Sequence, residues 1–130
     1  RDLNKEYRRQ RQMCIRDSTY GHDAGDKVLK AVAGLFMDKM KTYGRVCRWG
    51  GEEFLFVFYG RNGDAAYDVL QEIYDEIHRL TVSYENEEIR ITMTFGLEEY
   101  DQNDGMETAI RRADEKLYQG KETGRDKIVY

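Results

Sequence analysis

Proline is absent from the 130-residue sequence, and cysteine occurs only twice. With no proline, no linker-like composition and no internal repeat, the chain reads as one domain over residues 1–130. Cys14 and Cys47 stand alone with no Cys-x-x-Cys spacing, which excludes a disulfide framework and an ordinary structural zinc site. Long apolar runs are lacking as well. The longest, residues 54–59, is far short of a bilayer span. The N-terminus opens on Arg1-Asp2-Leu3-Asn4-Lys5-Glu6, not on the apolar stretch of a signal peptide. The expectation is a cytoplasmic domain with no membrane contact of its own.

A strongly basic body is missing too. Residues 1–12 carry a net +3, which leaves −7 on the remainder of a chain whose net charge is −4. Duplex binding runs on clustered Lys and Arg, so no nucleic-acid partner is expected. A small anionic ligand needs only two or three well-placed cations and stays open. What the chain does have is 40% hydrophobic and 35% charged residues, the balance of a folded globular domain.

Leu3 and Tyr7, four apart in a polar stretch, predict an exposed helix over residues 2–12. Asp26 reads as the cap of a second helix, in which Val28, Leu29, Val32, Leu35, Phe36 and Met40 recur at helical spacing. Residues 45–49 and 53–59 read as strands of a hairpin turning at Gly50-Gly51. Asp64 is expected to cap a helix with Ala66, Val69, Leu70, Ile73, Ile77 and Leu80 on its buried stripe. Residues 83–87 read as a polar loop, and Ile89 to Leu97 alternates as one half-buried strand. Met106, Ala109, Ile110, Ala113 and Leu117 mark a third amphipathic helix, and residues 128–130 a short closing strand. The order predicts an α/β (α+β) domain with helices on a largely antiparallel sheet.

Three clusters could carry chemistry. In Arg48-Trp49-Gly50-Gly51-Glu52-Glu53-Phe54, two adjacent carboxylates at a hairpin tip invite a cation, and Mg²⁺ takes one or two carboxylates plus substrate phosphates. A plain hairpin with exposed acids fits the same spacing. Thr19-Tyr20-Gly21-His22-Asp23-Ala24-Gly25-Asp26 reads as a polar loop before a helix, able to address a base edge through a carboxylate; simple helix capping by Asp26 fits as well. Lys121, Arg125 and Lys127, on a glycine-bracketed segment, could meet phosphates, or could merely complement a helix C-terminus.

Order and spacing together resemble the GGDEF family of diguanylate cyclases. Gly50-Gly51-Glu52-Glu53-Phe54 is similar to the family signature in its Glu variant. Residues 20–26, the Ile91-Thr92-Met93-Thr94-Phe95-Gly96-Leu97 strand, and Ala113-Asp114-Glu115-Lys116-Leu117-Tyr118 with Gly124-Arg125 look like its other motifs. The resemblance covers residues 19–130. It implies a palm-like nucleotidyl-cyclase fold and condensation of two GTP into cyclic di-GMP plus pyrophosphate. It further implies a homodimer, Mg²⁺ or Mn²⁺, and an upstream sensor or receiver domain in a parent protein that could be membrane-anchored. Glu52 would hold the metal and serve as general base, with Glu53 in support. His22 and Asp26 would meet the guanine or ribose, Gly50 and Gly51 would let the nucleotide approach, and Lys121 and Arg125 would bind phosphate.

Upstream of Thr19 the resemblance fails. Family members carry a buried strand with an Asp-x-Asp-x-Phe-Lys run and then an Asn-Asp pair, whereas this chain has Asp17 and Ser18 at the pair and nothing matching the run. The reading is of an N-terminally incomplete domain in which the first strand is missing, two interior sheet edges are exposed, and residues 13–18 are a foreign junction resembling a translated sequencing adapter. Impaired turnover follows, and a degenerate GTP-binding module is the alternative. The family's Arg-x-x-Asp inhibition motif is also lacking, its positions reading Lys41-Thr42-Tyr43-Gly44. Feedback inhibition through that site is therefore not expected.

Overall fold

The computed structural model describes residues 6–11 and 17–130, with side chains from Asp23 onward. Its elements run β1 (Glu6–Arg11), α1 (Asp17–Met40), β2 (Gly44–Gly50), β3 (Glu53–Phe58), α2 (Gly63–Arg79), β4 (Val82–Tyr84), β5 (Glu87–Ile89), β6 (Thr94–Glu99), α3 (Met106–Glu122) and β7 (Ile128–Val129). The five-stranded sheet has the order β2-β3-β1-β6-β7, antiparallel except for β6 with β7; β4 and β5 form a separate hairpin. The α+β architecture expected from the sequence is present.

Alternation along the strands sorts the helices onto two faces. Phe54, Phe56, Phe58, Phe95 and Leu97 join the buried stripes of α1 (Ala24, Val28, Val32, Phe36, Met40) and α2 in one apolar core. Phe36 makes edge-on contacts with Phe54 and Phe56, at centroid distances of 5.1 and 4.8 Å. The opposite face of β6 takes α3. A Cβ on Gly96 would lie 2.2 Å from the Ala113 carbonyl oxygen and 2.6 Å from the Leu117 nitrogen, so helix and strand touch backbone to backbone. Among the described residues no helix is long and apolar enough to cross a membrane.

Several local expectations are corrected. Residues 6–11 form a strand and not a helix, the central one, with six register pairs to β3 on one side and six to β6 on the other. Two waiting edges supply backbone hydrogen bonds that the polar sequence Glu-Tyr-Arg-Arg-Gln-Arg does not advertise. The predicted gap with two exposed interior edges is therefore filled, although by a strand without a carboxylate beyond Glu6. Residues 2–5 and 12 of the expected helix, and most of the proposed junction, lie outside the described residues.

Helix α1 begins at Asp17, so residues 20–26 are helix and not loop, and Asp26 is no cap. Each helical glycine costs only about 1 kcal/mol relative to Ala, and buried Ala24 extends the apolar stripe one turn further back. Asn62, not Asp64, caps α2, its side chain accepting from the Ala65 N–H at 2.8 Å. Instead of a polar loop and one long strand, residues 82–89 make the β4–β5 hairpin. It turns at Glu85 and Asn86 with φ of 48° and 67°, and β6 starts only at Thr94.

Candidate active site

The acidic turn is shaped by its backbone. The β2–β3 register shifts between Arg48 and Gly50, and Gly51 takes φ 50°, a conformation that favours glycine. Arg48 Nε donates to the Gly51 carbonyl at 2.7 Å and holds the turn in shape. Glu52 is exposed at its apex, while Glu53 is half-buried as the first residue of β3. Phe54, next along, is pinned to α1 through Phe36, which fixes the hairpin root against that helix.

Asp26 lies on the same side. With Leu29, Lys30, Ala33, Arg48 and Phe54 it lines a cavity of about 140 Å³ between α1 and the hairpin. Asp26 of α1 thus stands beside the root of the hairpin that carries the glycine turn. His22 falls one helical turn earlier on α1, and its side chain lies outside the described residues.

Lys121 is half-buried in the last turn of α3, and Arg125 is exposed on the following loop. The register brings this loop to the acidic turn's end of the sheet. Arg11 of β1 pairs with Glu53 on one side and Thr94 on the other, so Glu53 and Thr94 are two strand spacings apart, about 10 Å. Thr94, buried on the α3 face, accepts at Oγ1 from the Asp126 N–H at 2.9 Å. Carboxylates and cations therefore flank one strand end, an arrangement suited to a polyphosphate with its counter-ion.

Anchors not anticipated from sequence hold that loop. Gly124, Arg125 and Asp126 all have positive φ, at 116°, 61° and 52°. Left-handed backbone at two non-glycine residues costs on the order of 1 kcal/mol each and persists only where tertiary contacts impose it. The Arg125 N–H donates to the Gly120 carbonyl at 2.9 Å, and the Tyr74 hydroxyl of α2 donates to the Asp126 carbonyl at 2.8 Å. His78 Nε2 stands 2.8 Å from Asp126 Oδ1. Lys127 Nζ, the third predicted cation, turns back to the Thr123 carbonyl and hydroxyl. Burial, with Asp126 and Asp75 nearby, pushes the Tyr74 phenol up to about 12. Tyr74 reads from sequence as packing alone; no spacing rule links the polar face of α2 to a loop some 50 residues on.

A cleft of about 490 Å³ opens at the opposite end of β6, among Glu98, Glu99, Asp101 and Asp104 with Arg112. Its acidity suits no phosphate. For a metal, no group of three His, Cys, Asp or Glu among the described residues could hold an ion. The exposed Glu52 carboxylate fits a hard divalent cation that arrives on substrate phosphates, and does not fit one resident in the free protein.

Residues 15–127 match the family described as "Diguanylate cyclase, GGDEF domain". Diguanylate cyclase A of Treponema denticola is 32% identical over 116 residues, covering 87% of this chain and 31% of that protein. The chain thus spans about a third of that relative's length. The crystal structure of diguanylate cyclase SiaD of Pseudomonas aeruginosa, in complex with its activator SiaC, is 29% identical with a TM-score of 0.91, over 98% of this chain and 50% of that one. The GGDEF domain of DgcB from Caulobacter crescentus, in complex with c-di-GMP, gives 25% and 0.88 over 97% and 77%. By sequence and by fold alike, the chain belongs to the GGDEF domain family of diguanylate cyclases.

Proposed function

We propose that this domain condenses two GTP molecules into cyclic di-GMP, one held by each protomer of a homodimer, and that the sequence as it stands turns over slowly. The observation that carries the reading is the convergence at one sheet end of the Glu52 turn, the Asp26 cavity and the Lys121–Arg125 cations. Asp26 accepts from the guanine ring N–H and exocyclic amine, a pairing adenine does not offer. Gly50 and Gly51 leave room for the nucleotide beside the turn, and Arg125 and Lys121 bind phosphate oxygens. The 3′-oxygen of each GTP bonds to the α-phosphorus of the other as the bond from that phosphorus to its pyrophosphate breaks, so ring closure releases two pyrophosphates, and each 3′ proton passes to a Glu52 carboxylate. Glu52, with Glu53 in support, would hold Mg²⁺ or Mn²⁺ arriving on the phosphates, which would supply charge neutralisation there.

Slow turnover is argued from β1, whose C-terminal half, Arg9-Gln10-Arg11, brings no carboxylate beside Glu53. The same observation favours a second reading, a GTP-binding module without turnover, fed by an upstream sensor or receiver domain. Isothermal titration with GTP, with and without Mg²⁺, beside a cyclic di-GMP assay separates the two. We expect weak Mg²⁺-dependent binding and little product, with product restored when residues 6–18 are replaced by a family strand carrying the Asp-x-Asp-x-Phe-Lys run, and lost again in Glu52→Ala. A restored chain that still forms no cyclic di-GMP overturns the cyclase reading.

A further inference from the structure

We infer that His78 and Asp126 form a latch that fixes loop 124–127, and with it Arg125, in position for an anionic ligand, so that the charge of a histidine on α2 governs nucleotide affinity. The inference rests on the reading of Arg125 as a phosphate-binding residue and adds its regulation.

Each ring nitrogen of His78 faces an acceptor. Nδ1 is 3.0 Å from the Tyr74 carbonyl oxygen and Nε2 is 2.8 Å from Asp126 Oδ1. Only the imidazolium carries a proton on both. Asp126 Oδ1 is buried and has no hydrogen-bond partner of ordinary angle, so the nearby imidazolium charge is what compensates it. Burial alone would lower the His78 pKa; Asp126, the Tyr74 carbonyl and Asp75 outweigh it and hold the group above its usual value. The remaining neighbours are the Tyr74 ring, edge-on at 4.3 Å, and Arg90, whose guanidinium donates to the His78 carbonyl and not to the ring.

Loss of the proton leaves the buried Oδ1 of a half-buried Asp126 without the nearby positive charge, in a loop already strained at Arg125 and Asp126. The Thr94 and Tyr74 bonds hold only the Asp126 backbone. The Asp126 side chain then loses its charged tie to α2. Arg125 is exposed and forms no ion pair among the described residues, so its placement depends on this backbone. His78 acts through Asp126 and touches no ligand; both are positioning residues.

The test is isothermal titration of Mg²⁺–GTP into the wild-type chain, His78→Gln and Asp126→Asn at pH 6.0 and 8.5, with circular dichroism confirming that each is folded. GTP titrates in the same range, so the signal is the wild-type pH effect in excess of that in His78→Gln. We expect wild type to bind about two- to fivefold tighter at pH 6.0 by this measure, the range of a half-exposed ion pair. Asp126→Asn, which keeps both backbone bonds, should match His78→Gln at either pH. A variant that fails to fold is replaced by hydrogen exchange at the wild-type Asp126 amide, which should be slower at pH 6.0 once corrected for intrinsic rates. GTP binding with the same pH effect in all three proteins, or an amide whose protection ignores pH, overturns the latch and leaves the cyclase reading intact. No GTP binding at either pH overturns both.

Discussion

Replacing Gly96 by alanine tests the backbone contact on which the α3 face is built. The added Cβ would sit 2.2 Å from the Ala113 oxygen and 2.6 Å from the Leu117 nitrogen, neither of which can swing aside as a side chain can. Relief requires α3 to shift away from β6. Overpacking a core costs typically 1–3 kcal/mol, and two backbone clashes put this case near about 3. For a domain of this size 1 kcal/mol lowers the melting midpoint by roughly 3–5 °C, so Gly96→Ala should lose about 10 °C. Gly34 is the internal control: it is helical and exposed, with open space where its Cβ would be. Gly34→Ala should gain about 0.5–1 kcal/mol, or roughly 3 °C. Thermal unfolding followed by far-ultraviolet circular dichroism measures both. A Gly96→Ala protein that melts within a degree of wild type refutes the close approach of strand and helix.

Asn62→Ala should cost about 1 kcal/mol in chemical denaturation and Asp64→Ala less, because Asn62 makes the cap bond while Asp64 accepts from the exposed Tyr130 hydroxyl. His78 has a folded pKa above its unfolded one, so its stabilisation is complete below about pH 6.5 and fades as pH rises through the folded value. With both partners more than a third exposed the effect should stay under about 1 kcal/mol, read as the pH 6-to-8.5 stability difference that Asp126→Asn abolishes. Tyr74, at about 12, should still be protonated at a pH where ordinary exposed phenols have ionised, as phenolate absorbance with and without Tyr74→Phe would show.

Much of the architecture is legible because burial repeats in sequence. The stripe at four-residue spacing from Ala24 to Met40, the apolar strand after Gly51, and the Ala109, Ala113 and Leu117 series each announce an element and the face it buries. What escaped depends on partners distant in the chain. Residues 6–11 are polar and become a strand only because β3 and β6 offer them edges. The start of α1 hides behind Gly21 and Gly25, which look like loop residues until the helix stripe is carried back to Ala24. At the proposed site, Glu52, Asp26 and Arg125 stand out in the sequence one by one as motif residues, while the ties that hold the loop bearing Arg125 do not. His78 and Asp126 share no periodicity and meet only after β6 and α3 have packed.

Consider how such a sheet must be put together in time. Its middle strand is synthesised first, yet the two strands that flank it are made about 40 and 80 residues later. At ribosomal rates of about 5–20 residues per second, the first segment waits several seconds for its second neighbour. Long-range pairing of this kind closes slowly. The acidic turn and the cationic loop come together across that same strand, so the end of the sheet where they meet is completed only in the last stage of folding.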